Sequence, residues 1–281
     1  MTSLSWAVAN VFIQRSGQRM GAPRALFWAL LVGMVASLGA SVCLDTRTQP
    51  FSAGTLWLLV AAGAMGLLGY AGMFVAFEKA DLTVSVPVVS SWSLLAGAFS
   101  ILVLGERPGP NLYVGAALVC AGVIVVAIAS TRAQASQDSA GRRRGLFAVA
   151  AAAAGSLGFG VMIPLFGFVS PALGPFAASA AVYGLCLVLG APVARALRVS
   201  LAPPPRGTWH MVVVTGLAET VGFVSVALGR RFAPLTVVAP VASLAATFTV
   251  VYAWVVLRQR QNMWAAVGAA LVCAGVVVLA L

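Results

Sequence analysis

The chain has 281 residues, 61% of them hydrophobic and 8% charged, and its mean hydropathy of +1.02 leaves more apolar surface than a soluble fold of this size can hide, so it reads as an integral membrane protein. The net charge of +11 does not point to nucleic acid, because the basic residues stand between apolar blocks, where positive loops against anionic lipid account for them. Cys43, Cys120, Cys186 and Cys273 all lie inside apolar segments without CxxC spacing, so they read as small packing residues, with no disulfide framework, metal site or cofactor expected.

Taken in chain order, the first apolar segment, Thr2 to Gln14, is only about 20 Å long as a helix, short for a hydrocarbon core of about 30 Å. It carries one polar intramembrane candidate, Asn10. Spans of about 20 residues follow near 25–43, 55–77, 82–104 and 111–130. The polar stretch Thr131 to Gly145, TRAQASQDSAGRRRG, reads as a linker. Beyond it lie spans near 146–167, 174–194, 208–229, 234–257 and 263–281. The expected architecture is all-α, with about ten transmembrane helices in two units, 1–130 and 146–281.

The two units are copies. Gly115 to Val123 and Gly268 to Val276 both read GAALVCAGV, and an ungapped offset of 153 from Gly54–Ile128 to Gly207–Leu281 gives 27 identities in 75 positions, against roughly a tenth from shared composition. An offset enclosing five spans, an odd number, turns the second copy upside down, and an inverted repeat is the structural basis of alternating access. At the front the copies are harder to register. Matching Ser5 with Ser156 implies a first helix shorter than its partner by about eight to ten residues, hence either a half-span or a start placed too far downstream. The repeated glycine string, with glycines seven apart on one helix face, reads as a scaffold within each half.

The segments ADLTVSVPV (Ala80–Val88), LGER (Leu104–Arg107) and Gly115–Gly122, with APLTVVAPV (Ala233–Val241) in the second copy, resemble the drug/metabolite transporter superfamily, specifically its EamA-type ten-helix transporters. The resemblance covers nearly the whole chain. It implies a central cavity lined by the third, fourth, eighth and ninth spans and their neighbours, with the fifth and tenth peripheral. The second copy has LRQR (Leu257–Arg260) in place of LGER, so Glu106 reads as a cap or anchor at a helix end rather than a functional group.

Glu219 is the sharpest single residue, because it sits mid-span in GLAETVGF, where insertion of an ionised group costs about 2.5 to 3.5 kcal/mol. Its repeat partner is Gly66, so duplication did not require it. It either carries a coupling proton or holds an ammonium group, or else is a protonated side chain bonded to a neighbouring helix. Pro87 and Pro240 are expected to interrupt spans four and nine and free carbonyls there. With Ser90 and Ser243 three residues on, they mark the best candidate for the substrate site. Ser91, Trp92, Tyr70, Thr247 and Tyr252 add hydroxyls and aromatic faces to the candidate cavity. His210 beside Trp209 reads as an interfacial anchor. Glu78, Lys79, Asp81, Arg230 and Arg231 read as gate or interface charges.

No catalytic residues are assigned, since no HExxH, GxSxG or P-loop is present. The function expected is transport of a small organic metabolite, an amino acid or a drug-like compound across the inner membrane, with a proton as the candidate coupling ion. An inorganic-cation permease and a non-transporting accessory or sensor protein are the alternatives, and monomer and homodimer both stay open. Odd-numbered loops hold 13 Arg and Lys residues and even-numbered loops 4, which places the linker in the cytoplasm and the C-terminus outside. The resemblance implies the opposite orientation, with both termini cytoplasmic.

Overall fold

A computed structural model describes residues 1–105, 109–135, 139–259 and 263–280. Among them every regular element is helical: α1 (Thr2–Met20), α2 (Ala22–Leu44), α3 (Ala53–Lys79), α4 (Leu82–Ser90), α5 (Trp92–Leu104), α6 (Pro110–Ala135), α7 (Ser139–Leu173), α8 (Pro175–Ala196), α9 (Trp209–Gly229), α10 (Leu235–Ser243), α11 (Ala245–Val255) and α12 (Met263–Ala280), with one 3₁₀ turn at Arg206–Thr208. Among the described residues seven segments are long and apolar enough to cross a membrane, with α4 plus α5 and α10 plus α11 each counting as one. The shorter or more polar α1, α6 and α12 complete two five-span repeats. Parts of the expected linker are helical, belonging to the end of α6 and the start of α7.

The repeats superimpose in sequence at an offset of 153 along their whole length. α4 and α10 begin and end 153 positions apart. Gly21 and Gly174, also 153 apart, make the turns into α2 and α8 with φ of 84° and 93°, a backbone region that side chains with a Cβ rarely enter. Gly105 (φ 66°) and Arg258 (φ 52°) form another such pair. This register corrects the pairing of Ser5 with Ser156: the counterpart of Ser156 is Ser3, and that of Trp6 is Phe159.

It also corrects the first span. α1 does not stop at Gln14 but continues to Met20, 19 residues in all, or about 28 Å. Gln14 and Ser16 are buried and hydrogen-bonded, Gln14 to the Ala80 carbonyl and Ser16 to that of Ile13. A polar residue facing protein does not end a membrane helix.

Pro87 and Pro240 do not break the fourth and ninth spans either. Both lie inside helices, and the breaks come four residues later, at Ser91 and Leu244, where amides reach back three residues to the carbonyls of Val88 and Val241 at 3.3 Å. A proline five residues after a helix starts removes one amide bond but leaves the turns on either side intact.

Helix pairs across the repeats hold the molecule together. α3 lies along α7, and its counterpart α9 along α1; α2 packs on α8. In the α3–α7 seam a Cβ at Gly72 would sit 2.5 Å from the Ala151 carbonyl oxygen, and a Cβ at Gly158 2.6 Å from that of Met65. The α1–α9 seam replaces the second of these with a hydrogen bond, Ser5 Oγ to the Ala218 carbonyl at 2.7 Å. The duplicated GAALVCAGV strings face each other: a Cβ at Gly122 would meet Gly268 O at 2.6 Å, and one at Gly275 would meet Gly115 O at 2.7 Å. They therefore join the halves to each other rather than bracing each half separately. Hydrocarbon offers no hydrophobic drive between helices, so such close backbone contact supplies the attraction.

Candidate functional site

Six spans at the centre of the bundle surround a narrow cleft of about 40 Å³, lined from α1, α3, α4, α5, α7, α9, α10 and α11. Most of its wall is made of repeat partners: Trp6 and Phe159, Asn10 and Ile163, Val89 and Ala242, Ser90 and Ser243, Trp92 and Ala245. The cavity thus lies on the pseudo-twofold axis, where the same position of each copy is presented to it. The first and sixth spans each contribute two residues, as many as the third and the eighth.

Of the sequence candidates, Glu219, Asn10, Ser90, Trp92 and Ser243 line this cavity. Glu219 is only 6% exposed and accepts a hydrogen bond from Tyr70 Oη at 3.2 Å. Tyr70 is fully buried behind it, edge-on to Phe159 at 5.1 Å between ring centroids. Asn10 Nδ2 donates to Thr249 Oγ1 at 3.1 Å, and Thr249 in turn donates to the Ala245 carbonyl. The Trp6 indole, also on the cavity, interacts with the Glu219 carboxylate, while Ser243 Oγ is buried there without a protein hydrogen-bond partner.

Ser91, Thr247 and Tyr252 do not line the cavity. Ser91 sits at the helix break and closes it, donating to the Val88 carbonyl at 2.7 Å and pairing with Ser156 Oγ at 2.8 Å. The repeat partner of Ser156, Ser3, bonds the equivalent Val241 carbonyl directly. Thr247 lies beside Cys273 of α12, because the break at Leu244 turns the next helix so that Thr249 faces α1 instead. Tyr252 is 37% exposed on the outer surface. Pro87 and Pro240 are buried in their helices and act on the site only through the backbone. Glu106 lies outside the described residues.

Sequence reasoning missed Trp6, Phe159, Phe223 and Thr249. Trp6 packs edge-on to Phe223 at 5.2 Å and to Trp92 at 5.9 Å, over Gly222, where any Cβ would collide with its indole. The matched pair Gly69/Gly222 carried the signal, since each makes room for the aromatic ring of the facing helix, Phe159 or Trp6.

The two ends of the bundle differ. At the end holding the α1–α2 and α3–α4 turns, Gln14 bridges the Ala80 carbonyl and Gln259, and Gln259 accepts from the Leu82 amide at 3.1 Å. This chain of bonds latches the first repeat to the second. At the opposite end Gly167, Arg230 and Arg231 occupy the positions matching Gln14, Phe77 and Glu78. There they border a polar recess of about 300 Å³, with Arg231 held to Thr46 Oγ1 at 3.0 Å. Asp45 at this end is spent on the first amides of α8, those of Phe176 and Ala177, at 2.8 and 2.7 Å.

A solved structure, titled only as the crystal structure of a protein, shares this fold with a TM-score of 0.64 and 20% identity over 99% of this chain and 94% of its own. No curated protein matches the chain. The model of the EamA-like transporter family matches residues 1–128 and 146–281, so the chain belongs to that family and is a multi-pass membrane transporter of small solutes.

Proposed function

We propose that this protein is a secondary transporter of a small organic solute bearing an amino group, an amino acid or drug-like amine, in the inner cell membrane, and that Glu219 exchanges a proton for that group. The observation that carries the reading is one aromatic cavity on the repeat axis in which a buried carboxylate, Glu219, is met by the Trp6 indole and shares the wall with an unpartnered hydroxyl, Ser243 Oγ. The carboxylate suits an ammonium. The Ser243 hydroxyl suits a polar group on the same solute, and the surrounding rings supply cation–π and apolar contact.

An inorganic-cation permease would need several oxygen ligands converging on one point, and Glu219 is the single carboxylate on this cavity among the described residues. Alternating access follows from the inverted halves. The glutamine latch at one end and the arginine-bordered recess at the other support a state closed at the first and open toward the second, and rocking about the α6–α12 seam exchanges them.

The test is uptake by proteoliposomes of a panel of labelled amines, amino acids and neutral analogues with and without a pH gradient. Saturable, gradient-driven flux of amine-bearing solutes is expected. Absence of flux across the whole panel overturns the reading in favour of an accessory role, and flux of a divalent cation alone overturns it in favour of a permease.

A further inference from the structure

A second cavity, separate from the central one, runs between α2, α3 and α8. It has a volume of about 240 Å³ and is walled almost wholly by aliphatic and aromatic groups such as Leu26, Phe27, Leu67, Phe74 and Leu187. Its α2 wall extends from Ala22 to Leu30, and its α8 wall from Cys186 to Ala194. Each is about 12 Å at 1.5 Å per residue. The groove therefore begins at a helix end and stops near the middle of a core about 30 Å thick: it has the depth of one leaflet. It is open at the rim, where Val193 and Leu197 are 53% and 70% exposed.

The mouth is marked twice as an interface. Trp28 and Trp209 stack edge-on there at 5.2 Å, and Trp28 Nε1 donates to the Ala202 carbonyl at 3.1 Å, while Arg24 bonds the carbonyls of Ala202 and Pro203. These bonds hold the 197–203 segment over the groove. Within that segment Leu197 and Val199 line the groove, and Arg198 stands exposed between them, three residues beyond exposed Arg195. Glu78, the carboxylate beside this mouth, is engaged by the Ala22 amide at 2.5 Å and by Lys79 at 3.5 Å.

We infer that this groove holds one acyl chain of an anionic phospholipid, drawn from the leaflet at that face, with its phosphate against Arg195 and Arg198. An apolar groove of one-leaflet depth is filled by hydrocarbon in a bilayer, and the cations at its mouth select the headgroup. Because α2 and α3 belong to one repeat and α8 to the other, the lipid sits in the joint between the halves.

Native mass spectrometry of the full chain, extracted from bilayers of mixed phosphatidylglycerol and phosphatidylcholine with the same acyl chains, tests this. One phosphatidylglycerol retained per chain is expected, favoured about thirtyfold over phosphatidylcholine, from ~1 kcal/mol for each of the two arginines. The surface double variant Arg195→Gln/Arg198→Gln should lose that preference with its melting temperature unchanged. Ala194→Trp, which fills the groove, should lose the retained lipid. Equal retention of the two lipids by the wild type, no retained lipid, or undiminished retention by Ala194→Trp overturns the inference.

Discussion

The α6–α12 seam and the central cavity are both built from equivalent positions of the two repeats, yet they have diverged in opposite ways. In the seam the copies are identical over nine residues, and each glycine of one string lies against backbone of the other. In the cavity Ser90 and Ser243 are retained, while Gly66 faces Glu219 in the pairing, Asn10 faces Ile163, and Trp92 faces Ala245. Where backbones touch, no larger side chain fits on either copy, so symmetry is enforced by packing. Where a solute is to be held, a symmetric lining would present two like half-sites to an unsymmetrical molecule, and divergence supplies a single polar pole.

The sharpest way to break this contrast is Glu219→Gln, which keeps shape and removes the ionisable group. Gradient-driven flux should fall by about 100-fold, or ~2.7 kcal/mol, and the residual flux should no longer respond to pH; pH-dependent flux at the wild-type rate would sink the assignment. Next in size is Gly122→Leu, whose added side chain meets Gly268 O and Val272 N. It should destabilise by about 1–3 kcal/mol, read as a lower melting temperature in detergent, and the partner variant Gly275→Leu should cost the same. If only one of the two is harmful, the seam is not symmetric in energy.

Trp6→Phe retains the aromatic wall and deletes the indole N–H that meets Glu219. It should raise KM about tenfold with melting unchanged, the loss of one hydrogen bond that orients the carboxylate; an unaltered KM would remove the indole from the site. The smallest effect is expected of Tyr70→Phe, which removes one of the buried donors to Glu219. A reduction of about fivefold in flux, ~1 kcal/mol, with the pH optimum displaced, distinguishes a positioning role from simple packing.

Some of the site was legible in advance. Glu219, Asn10, Ser90, Trp92 and Ser243 are polar or amphipathic residues in apolar spans, and such residues carry a cost that burial against protein relieves. Trp6 and Thr249 were not legible, because a Trp near the chain start and a Thr in a Thr-Phe-Thr run look alike whether they face lipid or protein. The helix breaks at Ser91 and Leu244 were displaced from the prolines that suggested them, since the backbone yields where a side chain can satisfy its carbonyls, Ser91 that of Val88 and Ser3 that of Val241.

The sequence by itself determined the membrane setting, the ten spans, the duplication and its inversion, because hydropathy and self-similarity are properties of one dimension. Only the tertiary structure decided which face of each helix points inward. In water an amphipathic stripe reveals that face, but here lipid and protein interior are equally apolar. The rotation of each helix is set instead by glycine contacts and a few buried hydrogen bonds, and these exist only once the two copies have met.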